Sequence, residues 1–233
     1  MTIERALILL SYVTNIVVVI GWGITIFNKA RLRNSITRFY GKKDVIIYLP
    51  SRFVESINRL TTSNEDFYAA TEIAQFLNKH NISTRFVHIK SNDIITPSVN
   101  SIFICGPKSN QHLHNSMSYD PNFSFIYQSE EWILYDKKNN YELVSPMDKT
   151  PRQDRDLSYI NSFKINTLQI VIIAGLHSIG SKGAASFLTN EEKLKKLLKD
   201  ANGKNFSTIL ISKFNNQTQV IEETSVFIPV QQY

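Results

Sequence analysis

The residues whose types and spacing favour chemistry lie in three short loops, each expected at the carboxyl end of a strand. Cations, hydroxyls and free backbone amides at such strand ends suit an anionic ligand, so the loops predict a binding site for a nucleotide-like molecule. The candidate residues, loop by loop, are Ser51 and Arg52; Gly106, Lys108, Ser109 and Asn110; and Gly175, His177, Ser178, Gly180, Ser181 and Lys182.

The third loop, which joins a buried strand to a helix start, carries the strongest of these signals. Gly175, Gly180 and Gly183 permit tight turning and close backbone approach. The pattern matches neither a Walker A loop nor G-x-G-x-x-G, and a glycine-rich turn that only packs is the alternative. The expected contacts to phosphate come from Arg52, Lys108 and Lys182, and the orienting groups are Asn110 and His177.

No assembled catalytic set accompanies the loops. His177 has no carboxylate partner that the sequence identifies, and the position of Glu72 on a predicted helix is explained equally well by a solvated helix face. His112 and His114 lack further local ligands for zinc. Cys105 lies on an apolar strand and is expected to be a packed thiol. We therefore assign no catalytic residue, metal or cofactor, and we favour ligand binding over turnover.

Short β-branched runs that alternate with helical patterns must position these loops. Strands are predicted at 44–49, 85–89, 101–105 and 168–174, and helices at 66–78, 181–188 and 191–200. A β-hairpin is predicted at 132–144 and an antiparallel strand pair at 206–230. The predicted fold class is therefore α/β, with a Rossmann-like, mostly parallel sheet, an inserted β-hairpin and an antiparallel edge, over residues 44–233.

The formal net charge of +6 has a local origin. Residues 1–43 carry seven basic side chains and only one acid, Glu4, whereas the remaining residues carry 19 basic and 19 acidic side chains. A neutral α/β domain removes the main argument for a nucleic-acid partner, because nucleic-acid affinity depends on clustered cations.

The amino-terminal segment predicts a lipid membrane as a partner. Residues 6–27 carry no formal charge, and at 1.5 Å per residue they extend about 33 Å, enough to cross a hydrocarbon core of roughly 30 Å. Neither a signal peptide nor a buried core helix fits this run as well. We expect residues 1–27 to form one transmembrane helix with a short external N-terminus.

The flanking charges predict the orientation of this span. The basic juxtamembrane segment, residues 28–43, follows it directly, which places the N-terminus outside and residues 44–233 in the cytoplasm. This segment either docks on anionic lipid headgroups or only marks topology, and the second is the simpler interpretation. Asn15, in the span, either bonds to a sister helix in a homo-oligomer or is merely tolerated.

Two motifs carry a resemblance to known proteins. Ile-Phe-Ile-Cys-Gly-Pro-Lys-Ser-Asn at 102–110 and Ile-Ile-Ala-Gly-Leu-His-Ser-Ile-Gly-Ser-Lys-Gly-Ala-Ala-Ser-Phe-Leu at 172–188 resemble poorly characterised prokaryotic Rossmann-like domains attached to membrane spans. The overall plan is similar to nucleotide-sensing membrane effectors of bacterial antiphage signalling. The resemblance implies a membrane-anchored sensor of a nucleotide-like signal. The alternatives are a membrane-tethered enzyme acting on nucleotides or nucleosides, with Glu72 or His177 as acid–base, and a structural membrane adaptor.

Overall fold

A computed structural model describes residues 3–54, 58–107, 109–117 and 119–233, with the side chains of residues 3–14 and 28 outside the description. The helices are α1 (Ile3–Tyr40), α2 (Asn64–Lys79), α3 (Gln111–Met117), α4 (Ser178–Thr189) and α5 (Glu191–Ala201). The strands are β1 (Asp44–Pro50), β2 (Arg52–Val54), β3 (Arg59–Thr61), β4 (Ser83–Ile89), β5 (Asn100–Ile104), β6 (Phe123–Gln128), β7 (Glu131–Asp136), β8 (Tyr141–Leu143), β9 (Arg155–Ile165), β10 (Leu168–Gly175), β11 (Phe206–Phe214) and β12 (Ile221–Gln232).

The protein is an α/β protein built on a seven-stranded sheet with the order β12-β11-β9-β10-β5-β1-β4. β10, β5, β1 and β4 are parallel neighbours, whereas β9, β11 and β12 pair antiparallel. Five of the seven strands therefore point the same way, and the carboxyl ends of four neighbouring strands meet at one edge.

Two hydrophobic cores sandwich this sheet. Alternate side chains of the central strands face α2, α4, α5 and the end of α1 on one side, and α3 with the small sheet β6-β7-β8 on the other. Val45, Ile47 and Leu49 of β1 lie in the first core, while Ile46 and Tyr48 lie in the second. This alternation follows from the two-residue period of a strand, and it explains why the central strands are apolar throughout.

The predicted elements are confirmed, with bounds that differ by up to three residues. The strands at 44–49, 85–89, 101–105 and 168–174 correspond to β1, β4, β5 and β10, and the predicted helices to α2, α4 and α5. Ser63 caps α2, because its hydroxyl accepts a hydrogen bond from the backbone N–H of Asp66 at 3.1 Å. The hairpin is β7-β8 and the antiparallel pair is β11-β12. The sequence analysis missed β9, whose polar Ser and Asn residues hid a long buried strand between β10 and β11.

Helix α1 is continuous through the predicted boundary between span and juxtamembrane segment, and it ends before Gly41, which has φ +106°. Its last turns belong to the folded domain, because Ile36, Phe39 and Tyr40 are buried in the first core. The Tyr40 hydroxyl donates a 3.4 Å hydrogen bond to the carbonyl of Leu188 in α4. The folded unit therefore begins before residue 44.

The described apolar side chains of α1 between Ile16 and Phe27 are exposed. Among the residues whose side chains the structure describes, no helix has an apolar stretch long enough to span a bilayer. Residues 6–14 of the predicted span lie outside the described side chains.

Candidate functional site

The candidate site lies where the chain reverses its direction across the sheet. From β1 the chain moves to β4 on one side, and it then returns to β5 on the other side of β1. The connections leaving the carboxyl ends of β1 and β5 diverge there, which is the place where α/β sheets bind ligands, and we call the region between them the crevice. The first two predicted loops flank this crevice, and the third follows β10, the neighbour of β5.

Arg52 and Ser109 join the first two loops across the crevice. Arg52 Nη2 donates a hydrogen bond to Ser109 Oγ at 3.4 Å, with Arg52 exposed and Ser109 buried. Ser51 is directed differently, because its hydroxyl donates to the carbonyl of Ile89 at 3.1 Å and ties β1 to the end of β4. Lys108 lies outside the described residues.

Asp66, which the sequence analysis missed, supplies a buried carboxylate beside these groups. Its Oδ2 accepts the hydroxyl of Ser63 at 2.7 Å in the first turn of α2. Burial raises the pKa of Asp66 to about 6. The hydrogen bonds from Ser63 and Ser181 and the positive charge of Arg52 lower this pKa and so limit the rise. The Ser63-x-x-Asp66 spacing, typical of a capping box, was the signal available in the sequence. A carboxyl group with this pKa changes its charge near neutrality, and we therefore count Asp66 among the candidate site residues.

Cys105 faces the same cluster and is inert. Burial, and then the charge of Asp66, raise the pKa of its thiol to about 12, while Ser109 and Arg52 oppose the rise. The side chain is buried in the second core, so the expected packed thiol is confirmed. A thiol with this pKa is protonated at neutral pH and is not a nucleophile.

The N-terminus of α4 already holds an anion from the protein itself. Asp156 of β9 is fully buried, and its carboxylate accepts the backbone N–H of His177 at 3.0 Å and of Leu157 at 2.8 Å, and the hydroxyl of Ser145 at 2.7 Å. Burial raises the pKa of Asp156, and the bonds to Ser145 and His177 oppose that rise. The backbone amide of His177, the N-cap of α4, is therefore bonded to a side-chain carboxylate instead of being free for an anionic ligand.

The glycines of the third loop make room for this internal packing. A Cβ on Gly180 would overlap the Asp156 carboxylate and approach the Leu157 carbonyl to 2.6 Å. A Cβ on Gly175 would overlap the carbonyl of His177, and one on Gly183 would overlap Ser212. The alternative of a glycine-rich turn that packs accounts for these three positions. Gly106, after β5, is less crowded, with the nearest atom, the Gly175 carbonyl oxygen, at 3.3 Å.

His177 has the carboxylate partner that the sequence did not identify. Its Nε2 lies 2.9 Å and 3.0 Å from the two carboxylate oxygens of Asp148, which follows Pro146 in a 3-10 turn. Because a carboxylate only accepts, Nε2 carries a proton, and the neutral ring keeps Nδ1 as an acceptor. Ser178, next in sequence, donates to Glu65 of α2 at 3.2 Å and joins the two helix starts.

Two other predicted residues, Asn110 and Ser181, form hydrogen bonds within the protein. Asn110 is buried; its Nδ2 donates to the carbonyls of Lys90 and Asp93, and its Oδ1 accepts the N–H of Leu113. The Ser181 hydroxyl accepts the N–H of Gly175 at 3.0 Å.

Lys182 is also engaged by protein groups. Its Nζ donates to the carbonyl of Gln219 at 2.6 Å and lies 5.4 Å from the ring centroid of Tyr68. Of the two expected phosphate cations that the structure describes, Arg52 and Lys182, it places Arg52 at the crevice.

A cavity of about 390 Å³ opens beside the crevice, on the side of β4. Its size is within the range of small-molecule sites. Thr62 Oγ1 donates its proton to the Pro50 carbonyl at 2.9 Å and lies 3.1 Å from His88 Nδ1. His88 Nδ1 must therefore donate to Thr62, which leaves Nε2 as the hydrogen-bond acceptor of that imidazole. The lining residues are Ser51, Leu60, Thr62, Asn64, Phe67 and His88.

Glu72 and His114 contact other parts of the protein. Glu72 is half-buried and accepts the Thr189 hydroxyl at 2.8 Å, and burial raises its pKa against the opposing effects of Thr189 and Lys182. His114 packs edge-on against Trp132, and burial lowers its pKa. Within the described ranges, no group of three or more His, Cys, Asp or Glu side chains is arranged to hold a metal ion.

The fold and the site define an α/β protein with a polar crevice, centred on Arg52, Asp66 and Ser109, at the carboxyl edge of its parallel strands. Comparison with known protein families, curated proteins and solved structures finds no match to the chain.

Proposed function

We propose that the protein is a membrane-anchored sensor whose cytoplasmic α/β domain binds a nucleotide-like anion at the carboxyl-edge crevice. The observation that carries the proposal is the Arg52–Ser109 contact across the crevice, next to a cavity of suitable size. Counted along the chain, the four parallel strands have the order 2-1-3-4, which is typical of doubly wound Rossmann-like sheets that bind ligands between the first and third strands.

The crevice and cavity offer the two kinds of surface that a nucleotide needs. Phe67 and Leu60 provide apolar surface for a base, and His88 Nε2 provides an acceptor for a base amino group. Arg52 is exposed and its guanidinium is suited to a phosphate, since it presents several donors in a fixed plane. Ligand phosphate at Arg52 would compete with Ser109 for the same donor and so alter the link between the two loops.

Residues 6–27 are proposed to anchor this sensor in the membrane. Large apolar side chains on the described part of this run are exposed, with Ile16 at 57% and Phe27 at 66% of full accessibility. A contiguous apolar surface of this extent is unfavourable in water and favourable in lipid. The basic residues that follow favour an external N-terminus and a cytoplasmic domain.

Helix α4 is the proposed link between crevice and span. In the first turn of α4, a side-chain hydrogen bond from Ser181 lowers the pKa of Asp66 and so links the helix to the crevice. In the last turn of α4, the carbonyl of Leu188 accepts a hydrogen bond from the Tyr40 hydroxyl of α1. Helix α1 continues from Tyr40 to the exposed apolar run without interruption. A ligand-induced shift of α4 would therefore move the span through packed contacts rather than through a flexible linker.

A homo-oligomer is proposed for signal transmission, with Asn15 of the span as the polar contact between helices. Asn15 is exposed on α1, where an unsatisfied amide in lipid favours a hydrogen bond to a second copy. The setting that the sequence resemblance suggests is antiphage defence, in which the signal is a nucleotide.

Turnover of a nucleotide or nucleoside is the second candidate, and one observation favours it. Asp148 orients His177 in the manner of a carboxylate that fixes a general base, and the exposed imidazole stands at the start of α4. A third candidate, a structural adaptor, requires neither the crevice nor this pair.

The test is a thermal-unfolding and product screen of the full-length protein in neutral detergent, against cyclic and linear nucleotides. The full chain is required because α1 contributes Ile36, Phe39 and Tyr40 to the core. A sensor gives a rise in the unfolding temperature without consumption of the nucleotide, and the rise is lost in Arg52→Gln. Consumption that disappears in His177→Ala and Asp148→Asn would establish the enzyme instead. No shift and no consumption across the panel would overturn both.

A further inference from the structure

A second cavity, of about 450 Å³, lies at the opposite end of the domain, where α1 leaves it. It is a groove between one face of α1, the C-terminal half of α5 and the loop that leads into β11. Six cations and no acid line it: Arg31, Arg38, Lys164, Lys195, Lys199 and Lys204. Folding thus collects four lysines from a domain whose sequence is electrically balanced and places them beside the two arginines of α1.

No described side chain forms an ion pair with a cation of the groove. Within the described part of the chain, the ion pairs involve Lys79, His80, His177 and Lys213, and none involves a groove cation. Six like charges around one cavity repel each other, so the groove favours an anion. The sequence of the basic juxtamembrane segment is compatible with docking on lipid and with a topology signal alone, and the groove favours docking.

Buried aromatic and partly buried aliphatic side chains lie beneath the cations of the groove. Phe39 and Phe206 stack there with ring centroids 6.1 Å apart, and Leu32 and Leu198 lie beside them. Leu32 is on the helix that carries the exposed apolar run ending at Phe27. The groove is therefore built partly on the helix that leads to the proposed span, so an anion bound there lies close to the membrane.

The distance from the proposed span also fits a lipid. Arg31 is four residues beyond Phe27, which is about 6 Å along a helix axis. The headgroup layer on each side of a bilayer is roughly 5–8 Å thick. Arg31 therefore stands at headgroup depth when the apolar run is in the hydrocarbon, and the rest of the groove opens on the cytoplasmic side of it. On the other face of α1, Lys29, Arg33, Lys42 and Lys43 continue the basic surface around the helix.

We propose that this groove binds the phosphate headgroup of an anionic phospholipid from the cytoplasmic leaflet. The inference rests on the proposed membrane span, and it is independent of the nucleotide site. Its role is to hold the domain against the membrane at a fixed orientation, since the ligand contacts α1, α5 and the sheet together.

The test compares two triple variants that remove the same total charge. Lys164→Gln/Lys195→Gln/Lys199→Gln removes three of the four groove lysines and keeps Lys204 and the two arginines of α1. Lys90→Gln/Lys138→Gln/Lys149→Gln removes three exposed lysines elsewhere. Short-chain phosphatidylglycerol is titrated into each full-length protein in neutral detergent, with phosphatidylcholine as the zwitterionic reference, and the unfolding temperature is followed.

We expect phosphatidylglycerol to stabilise the wild type and the control variant, and the groove variant to need roughly tenfold or more lipid for the same shift. An equal response of the two variants would overturn the groove assignment. If glycerol phosphate stabilised the protein as much as phosphatidylglycerol does, the groove would be a site for a soluble anion and the lipid inference would be overturned. Carbonate extraction of wild-type membranes is scored separately: release of the protein would overturn the membrane span, and the lipid inference with it.

Discussion

The carboxylate of Asp156 accepts the backbone N–H of His177 at 3.0 Å, so a residue of the protein occupies the anion position at the start of α4. The glycine-rich loop after β10 is thereby explained by internal packing, and the proposed ligand site is the neighbouring crevice around Arg52. The same carboxylate holds His177 where its ring meets Asp148.

Gly180→Ala tests the packing around Asp156. The added methyl group would overlap the buried carboxylate and press on the Leu157 carbonyl, and we expect a loss of about 2 kcal/mol or more in the free energy of unfolding. Gly23→Ala is the matched control, since no atom lies within 4 Å of its Cβ position. Comparable thermal-unfolding midpoints for the two variants would contradict the packing explanation.

The pH dependence of stability tests the environment of Asp66. Its pKa is raised to about 6 in the fold, so the folded protein holds a proton that the unfolded chain releases, and stability falls as the pH rises from about 4 through 6. In Asp66→Asn this contribution is absent. The stability of the variant relative to the wild type should rise by about 2–3 kcal/mol between pH 4 and pH 7.

Thermal unfolding across this pH range measures the Asp66 effect, with Glu142→Gln as a control on an exposed strand position. Other carboxyls whose pKa burial raises, such as Asp120 and Glu72, act in the same direction and cancel in the comparison. A constant difference between Asp66→Asn and the wild type would show that Asp66 is not held as described.

The contribution of α1 to the core predicts opposite results for two isoleucines on one helix. Ile36→Ala removes a fully buried side chain and should cost about 2–5 kcal/mol of stability, whereas Ile24→Ala removes an exposed one and should leave the domain unchanged. The unfolding temperature of the full-length protein in detergent is the measurement. If Ile36→Ala were as stable as Ile24→Ala, the end of α1 would not be part of the folded domain.

Asn15→Leu tests self-association through the proposed span. An amide bond between helices in lipid contributes on the order of 1 kcal/mol, and its loss should weaken crosslinking of the full-length protein in membranes about fivefold. Thr14→Leu, one position earlier, is the control for a changed lipid-facing surface. Undiminished crosslinking of Asn15→Leu would remove the basis for an oligomer that assembles through Asn15.

Local patterns predicted the sheet elements and the three loops because the periodicity of a strand or a helix is visible in consecutive residues. The partners of those loops could not be read in the same way. Asp148 is 29 residues from His177, and Asp156 is 21 residues away on β9, a strand whose polar residues concealed it.

The crevice and the basic groove likewise arise from long-range folding. Ser109 is 57 residues from Arg52, and Lys195 and Lys199 meet Arg31 only because α5 packs beside α1. A charge balance computed along the chain averages out such clusters, and the lysines of the groove were therefore invisible in the composition of residues 44–233.

The most direct test of the sensor is the equilibrium affinity of the full-length protein for the nucleotide that gives the largest thermal shift. Removing an arginine that bonds to phosphate loses about 1.5–3 kcal/mol, so Arg52→Gln should bind roughly 10- to 150-fold more weakly. Arg59→Gln, on the paired strand of the same hairpin, should bind like the wild type. Equal affinities of Arg52→Gln and Arg59→Gln would contradict a ligand site at the crevice.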